Sequence, residues 1–193
     1  MDSVLMIALG GAIVLIFNYL KRRLWSFLAQ SPEDYAQEDL QMDIRQHLNG
    51  EIICEGVIYG PLGRVSSRFV GYFNMVWTGN IGVMTEHFQY DSGNTQDREW
   101  TLTLGNDGRI KAAAPDVIGT GTGVQTGSAL QLKYRIALPE SSGGHVLDVV
   151  DWMYLAPNGT IVNRSQFRKF GFQVAELVAT MRPVVAEQHK VAA

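Results

Sequence analysis

The chain has 193 residues, 46% of them hydrophobic and 18% charged, which suits one globular domain with an appendage. With 20 Gly and 6 Pro it is neither collagen-like nor Pro-rich disorder. A net charge of −3 gives no electrostatic ground for binding nucleic acid, and the single cysteine, Cys54, excludes a disulfide framework and a multi-cysteine zinc site.

The first element is apolar. Val4 to Leu20 runs for 17 residues without a charge, at the short limit of the roughly 17–25 residues that a membrane-spanning helix needs. Lys21, Arg22 and Arg23 follow, then Leu24, Trp25, Phe27 and Leu28, a mixture that belongs at a headgroup boundary. A cleaved signal peptide needs cations ahead of the apolar run, and Met1-Asp2-Ser3 supplies no side-chain cation. A buried core helix is the plainer alternative. The expectation is an uncleaved single-pass anchor over residues 1–30, touching the bilayer through residues 4–28, and a folded domain over 31–193. Cations on the C-terminal side favour a cytoplasmic position for that domain at a bacterial inner membrane. The domain itself carries 13 basic and 18 acidic residues, so anionic lipid repels it and the juxtamembrane cluster alone holds it near the surface.

Beyond the anchor, Ser31-Pro32-Glu33-Asp34 reads as a turn and helix start, and Asp43 to Leu48 as one helical turn ending at Asn49-Gly50. The pattern then changes to period two. In Arg64–Thr78, Val65, Phe69, Phe73, Met75 and Trp77 share one parity, and in Thr95–Leu104, Trp100, Leu102 and Leu104 alternate with Glu99, Thr101 and Thr103. Such alternation marks antiparallel strands with one buried face. Further runs are expected over 51–59, 81–90, 117–124, 128–138, 145–155, 160–170 and 172–181, separated by Gly-, Asn- and Ser-rich turns. About nine strands with hairpin connections and no helices between them point to a mainly β, antiparallel barrel, preferred to a sandwich because closure removes the sheet edges.

Catalytic and metal signatures such as HExxH, G-x-S-x-G and the P-loop do not occur, and the four histidines lack ligand spacing. Neither a metal nor a cofactor is expected. Gly119-Thr-Gly121-Thr-Gly123 reads as a bent strand, since no helix pattern follows it. More informative are polar residues among large apolar ones. Gln96 and Arg98 share the parity of Trp100, Asp151 shares that of Met153, and Asn163-Arg164 lies inside an apolar strand. Buried, such groups need partners. One reading has Asp151 pair with Arg98 or Arg164 and fix register. The other makes them a ligand's polar contacts, with Trp77, Trp100, Phe73 and Met153 as the apolar wall. The two are compatible, and outward-facing parities are a third possibility.

The segments Phe88-Gln-Tyr90-Asp91-Ser-Gly93-Asn-Thr-Gln96-Asp-Arg98-Glu-Trp100, Asp116-Val117-Ile-Gly119, Gly127-Ser-Ala-Leu130, Asp151-Trp152-Met153-Tyr154-Leu155, and Asn163-Arg164 through Lys169-Phe170-Gly171 occur in this order. With them the chain resembles the bacterial domain-of-unknown-function family numbered 3833, over about Ser31 to Arg182. The resemblance implies a compact lipocalin-like (calycin-type) β-barrel and supplies no activity. Many members look like lipoproteins; here Gln30 stands about where their lipidated cysteine would be, so an apolar helix takes the place of the lipid. Lipoprotein relatives would place the domain in the periplasm, against the charge rule. Relatives encoded near acyl-modifying enzymes tilt the expected ligand toward lipid.

Three functions follow as expectations. The first is an anchored barrel binding a fatty-acyl or other lipophilic ligand through Trp77, Gln96, Arg98, Trp100, Asp151, Met153, Asn163 and Arg164. The second is an assembly factor docking on a membrane enzyme. The third is a metal-independent lipid-modifying enzyme, with Asp151 as acid or base.

Overall fold

The computed structural model describes residues 2–184. The end of the expected domain, residues 185–193 with His189, lies outside them. Helix α1 (Asp2–Leu24) carries the apolar run, and its window Ser3–Lys21 is long and apolar enough to cross a membrane, with none of it buried against the rest of the chain.

Ten antiparallel strands follow: β1 (Gly50–Tyr59), β2 (Val65–Thr78), β3 (Ile81–Tyr90), β4 (Thr95–Leu104), β5 (Arg109–Ala113), β6 (Gly121–Thr126), β7 (Ala129–Ala137), β8 (Val146–Leu155), β9 (Ile161–Lys169) and β10 (Phe172–Pro183). Each pairs with the next, and β1 pairs with β10 from Ile52↔Pro183 to Tyr59↔Glu176, closing an up-and-down barrel. Every strand has two partners, so none presents an unpaired edge. The expected barrel stands, with one strand more than the sequence reading counted. Its 117–124 run is divided: residues 114–120 form a loop, and the wall there is β5 and the short β6.

The period-two pattern fixes the inside. Phe69, Phe73 and Met75 of β2, Trp100, Leu102 and Leu104 of β4, and Met153 and Leu155 of β8 are all buried in one core. Gly121 and Gly123 keep β6 thin where β7 crosses it: a Cβ on Gly123 would lie 2.4 Å from Leu132 Cδ2. The Gly-rich run expected as one bent strand is divided: Gly121 and Gly123 lie in β6, and Gly119, at φ +74°, lies in the loop before it.

One end of the barrel is sealed. Helix α2 (Ile44–His47), capped by Asp43 accepting from the Arg45 amide at 2.9 Å, brings Met42, Ile44 and Leu48 under the core. The Ile44 amide donates to Gln125 Oε1 at 3.0 Å, and the Trp77 indole donates to the Leu48 carbonyl at 2.8 Å. The segment between α1 and this plug runs over the outside of the wall. Phe27 is buried against Ala129 and Trp152, and Gln30 Oε1 accepts from the hydroxyls of Tyr35 and Tyr154 at 2.6 Å each.

At the opposite end, Ile58, Phe88, Tyr90, Phe167 and Leu177 are half-buried and ring the mouth. Leu62, Phe170 and Phe172 stand exposed on the loops beside it, at 86%, 88% and 76%.

Candidate ligand site inside the barrel

Residues of alternate parity on β3, β4, β7, β8 and β9 converge midway along the interior. Glu86 and Arg98 are direct cross-strand partners of β3 and β4, and Asp151 and Ser165 are direct partners of β8 and β9. The pleat therefore aims four polar side chains into an interior that is otherwise apolar.

Arg98 is the centre of the first group. Its Nε lies 2.9 Å from Asp116 Oδ2, its Nη2 donates to Asp116 Oδ1 at 2.9 Å, and its Nη1 is 3.7 Å from Glu86 Oε2. The guanidinium also sits over the Trp100 ring, 4.8 Å from its centroid, a cation–π contact. Asp116 comes from the 114–120 loop, whose Asp116 carbonyl and Ile118 amide bond the upper part of β7 at 2.8 and 2.9 Å.

Asp151 is the centre of the second group. Its Oδ1 accepts from Ser165 Oγ at 2.7 Å and from Asn163 Nδ2, which also donates to the Trp152 carbonyl at 3.0 Å. Its Oδ2 has no hydrogen-bond partner among the described residues. The same holds for Glu86 Oε2 and for Arg98 Nε, whose contact with Asp116 is close but poorly directed.

Between the groups lies a cavity of about 110 Å³, lined by Glu86, Arg98, Asp151 and Tyr134 on its polar side. Aromatic and sulfur side chains, among them Phe73, Trp100, Met84, Met153 and Met181, complete it. Trp100 and Tyr134 meet edge to face with centroids 5.1 Å apart.

Burial governs the acidities. It pushes Glu86 up to about 7; Arg98 pulls the other way, and the charges of Asp151 and Asp116 add to the rise. Burial likewise pushes Asp151 up to about 6, against the hydrogen bonds from Ser165 and Asn163 and the charge of Arg98. Tyr134 and Cys54 are shifted upward as well, first by burial and then by nearby carboxylates, so both stay protonated at neutral pH. The site thus offers two carboxyl groups that exchange protons near neutrality, a fixed guanidinium and a neutral phenol.

Of the eight residues expected to touch a ligand, Arg98, Trp100, Asp151, Met153 and Asn163 line this cavity. Trp77 lies at the sealed end with its indole N–H engaged by Leu48, and Gln96 is exposed at the rim, accepting from the Tyr90 hydroxyl at 2.8 Å. Arg164 is on the outer face, bonded to Glu176 Oε1 at 2.8 Å and stacked over Phe27 at 4.9 Å. The expected pairing of Asp151 with Arg98 or Arg164 is corrected accordingly: Arg98 binds Asp116 and Glu86, Arg164 points away, and Asp151 is held at Oδ1 by two neutral donors. Adjacent strand residues face opposite sides, so Asn163 and Arg164 cannot both enter the interior. Glu86, Asp116, Tyr134 and Ser165 were not singled out. Glu86 shares the parity of Met84 and Phe88, but β3 is apolar on both faces, so that parity did not mark which side is inside. Asp116 was not legible either, because it reaches the site from a loop.

The described residues contain no His, Cys, Asp and Glu grouping able to hold a metal ion. Among solved structures, the barrel is similar to the S-type phycobiliprotein lyase CPES from Guillardia theta. That match has a TM-score of 0.56 and 7% identity, covering 82% of this chain and 99% of that one. It is also similar to Rv2717c from M. tuberculosis, with a TM-score of 0.54 and 14% identity over 76% of this chain and 100% of that one. At these identities the likeness is one of fold, a lipocalin-like barrel. No curated protein matches the sequence. A family model described as "Protein of unknown function (DUF3833)" matches residues 22–183, and the chain belongs to that family.

Proposed function

We propose that the protein is a membrane-tethered barrel that takes a lipophilic molecule, fatty-acyl or of similar character, into its interior by way of the open mouth. The observation that carries this reading is the incompletely satisfied polar cluster facing an apolar cavity. Buried polar groups without partners are costly, and a ligand whose polar group meets Asp151, Glu86 and Tyr134 offsets that cost. Eight-stranded and somewhat larger barrels leave room for one small ligand.

The volume limits what enters. At about 110 Å³ the cavity is smaller than the ~150 Å³ void that accepts benzene and well below the ~300–1,000 Å³ of a drug-sized pocket. The buried part of the ligand is therefore short, with the rest of a longer chain leaving through the mouth, unless the wall moves. Met84, Met153 and Met181 make such movement inexpensive, because methionine repacks readily.

In this reading α1 is an anchor in the bacterial inner membrane. Lys21 and Arg23 on its C-terminal side favour the cytoplasmic face for the barrel. The tether keeps the barrel close to a bilayer that stores apolar ligands. Mass spectrometry of small molecules extracted from the purified full-length chain tests the proposal. A stoichiometric lipophilic compound is expected. A stable, empty barrel that gains no thermal stability from any acyl, alkyl alcohol or alkyl amine ligand would contradict it.

A further inference from the structure

The charge and hydrogen-bond inventory of the cavity says which head group it accepts, given the interior-binding reading above on which this inference rests. Arg98 is the one cation among the described residues lining the cavity, and its charge is already engaged. Asp116 takes Nε and Nη2 at 2.9 Å each, and Glu86 stands 3.7 Å from Nη1. Two carboxyl groups, Asp116 and Glu86, thus hold the one guanidinium, and Asp151 adds a further carboxyl to the cavity wall.

The hydrogen-bonding capacity that remains is mainly accepting. Asp151 accepts through Oδ1 alone, and Glu86 Oε2 makes no well-formed hydrogen bond, its carboxyl meeting Trp100 and, at 3.7 Å, Arg98. The Tyr134 hydroxyl, on a residue that also lines the cavity, both donates and accepts and has no hydrogen bond to another described residue. Asn163 and Ser165 are turned toward Asp151 and are occupied. A carboxylate head would bring a further negative charge and further acceptors into an enclosed place short of both cations and free donors. In a low-dielectric interior such like charges repel strongly. An amine or hydroxyl would give its hydrogens to Asp151 and Glu86 and accept from Tyr134 where it has a lone pair. The upward shifts of both buried carboxyl groups agree with this, since the interior already resists the negative charge it has.

We propose that the cavity selects a ligand with a hydrogen-bond-donating head, an amine or a hydroxyl on an apolar chain, and rejects a free carboxylate. A fatty acid as such is then not the occupant; an alcohol or amine of similar chain is.

The test is calorimetric titration of the full-length chain in nonionic detergent, with empty micelles as the blank. The probes are n-hexylamine, n-hexanol and hexanoate at pH 8, where the buried carboxyl groups are mostly ionised. The amine or the alcohol is expected to bind at least about tenfold more tightly than hexanoate, a difference of about 1.4 kcal/mol. Asp151→Asn should narrow that ratio, and Glu86→Gln serves the same purpose if the first variant does not fold. Hexanoate binding as tightly as the other two overturns the selectivity and leaves interior binding standing. No binding by any of the three overturns both.

Discussion

Arg98 holds Asp116 through two nitrogens, each 2.9 Å from a carboxylate oxygen. The pair ties the loop between β5 and β6 to the inner face of β4, at the place where β6 is too short to complete the wall. It shapes the cavity and stabilises the barrel together.

Replacing Arg98 by Met therefore removes the partner of two carboxylates. Breaking a buried ion pair from one side costs roughly 3–5 kcal/mol, and urea denaturation should show a loss of that order. Adding Glu86→Gln to the Arg98→Met variant should recover part of it, because one of the stranded charges is then gone. Equal stability of wild type and Arg98→Met would mean that the loop is held by other contacts.

Stability should fall as pH rises from about 4 to about 7. Glu86 and Asp151 have ordinary values of 4.5 and 3.8, and in the folded barrel these rise to about 7 and about 6. Across that window the folded state binds more protons than the unfolded one. Their contribution is complete below the unfolded values and lost as pH passes the folded ones. Denaturation midpoints measured at pH 5 and pH 8 should favour pH 5, and Glu86→Gln should flatten the difference. A midpoint higher at pH 8, unchanged by Glu86→Gln, would contradict the protonated interior.

Leu48 is both part of the plug and part of the cavity wall. Leu48→Ala should cost about 2–5 kcal/mol, as buried leucine truncations do, while enlarging the cavity at its sealed end. Benzene or a longer alkyl alcohol should then restore more melting temperature to the variant than to the wild type. A variant that loses stability yet responds no better to these compounds would place Leu48 outside the binding volume.

Gly127 is where the outer strap meets the wall. Its φ is +49°, and a Cβ there would lie 1.8 Å from the Tyr35 carbonyl oxygen, on a backbone that also accepts from the Met42 amide at 2.7 Å. Gly127→Ala must push the strap away. Limited proteolysis should then cut between residues 30 and 42 faster than in the wild type, with little change at the mouth. Unchanged cleavage would show that the strap does not depend on this close approach.

Much of the barrel was legible because strand period and burial coincide: Phe69, Phe73 and Met75 in β2, or Trp100, Leu102 and Leu104 in β4, are apolar on one face and polar on the other. The five residues of β5 were too few to show a period. Neighbouring apolar residues Val117 and Ile118 were read as strand, although they lie in a loop touching β7 by a single bridge, Val117↔Ile136. Parity put Arg98 and Asp151 on the apolar faces of their strands, but it could neither settle that those faces point inward nor pair the charges. Which charges meet depends on register across strands and on a loop, and neither is written in one strand's alternation. Glu86 stayed hidden because β3 carries apolar Ile81 and Val83 on its outer face as well as Met84 and Phe88 inside, so its two faces look alike. The Phe27–Trp152 contact depends on where the strap folds back, which no local pattern encodes.

The central claim is that a ligand occupies the interior of this barrel, and the methionines report on it directly. Of the seven in the chain, Met84, Met153 and Met181 line the cavity, whereas Met6 is exposed on α1. With the full-length chain labelled at its methionine methyl carbons, titration with n-hexanol should shift the signals of Met84, Met153 and Met181 in a saturable way. Met6 should follow only the change seen in detergent alone. Saturable shifts confined to the three cavity methyls are the result this account predicts; unchanged signals from all three at the highest soluble ligand concentration would contradict it.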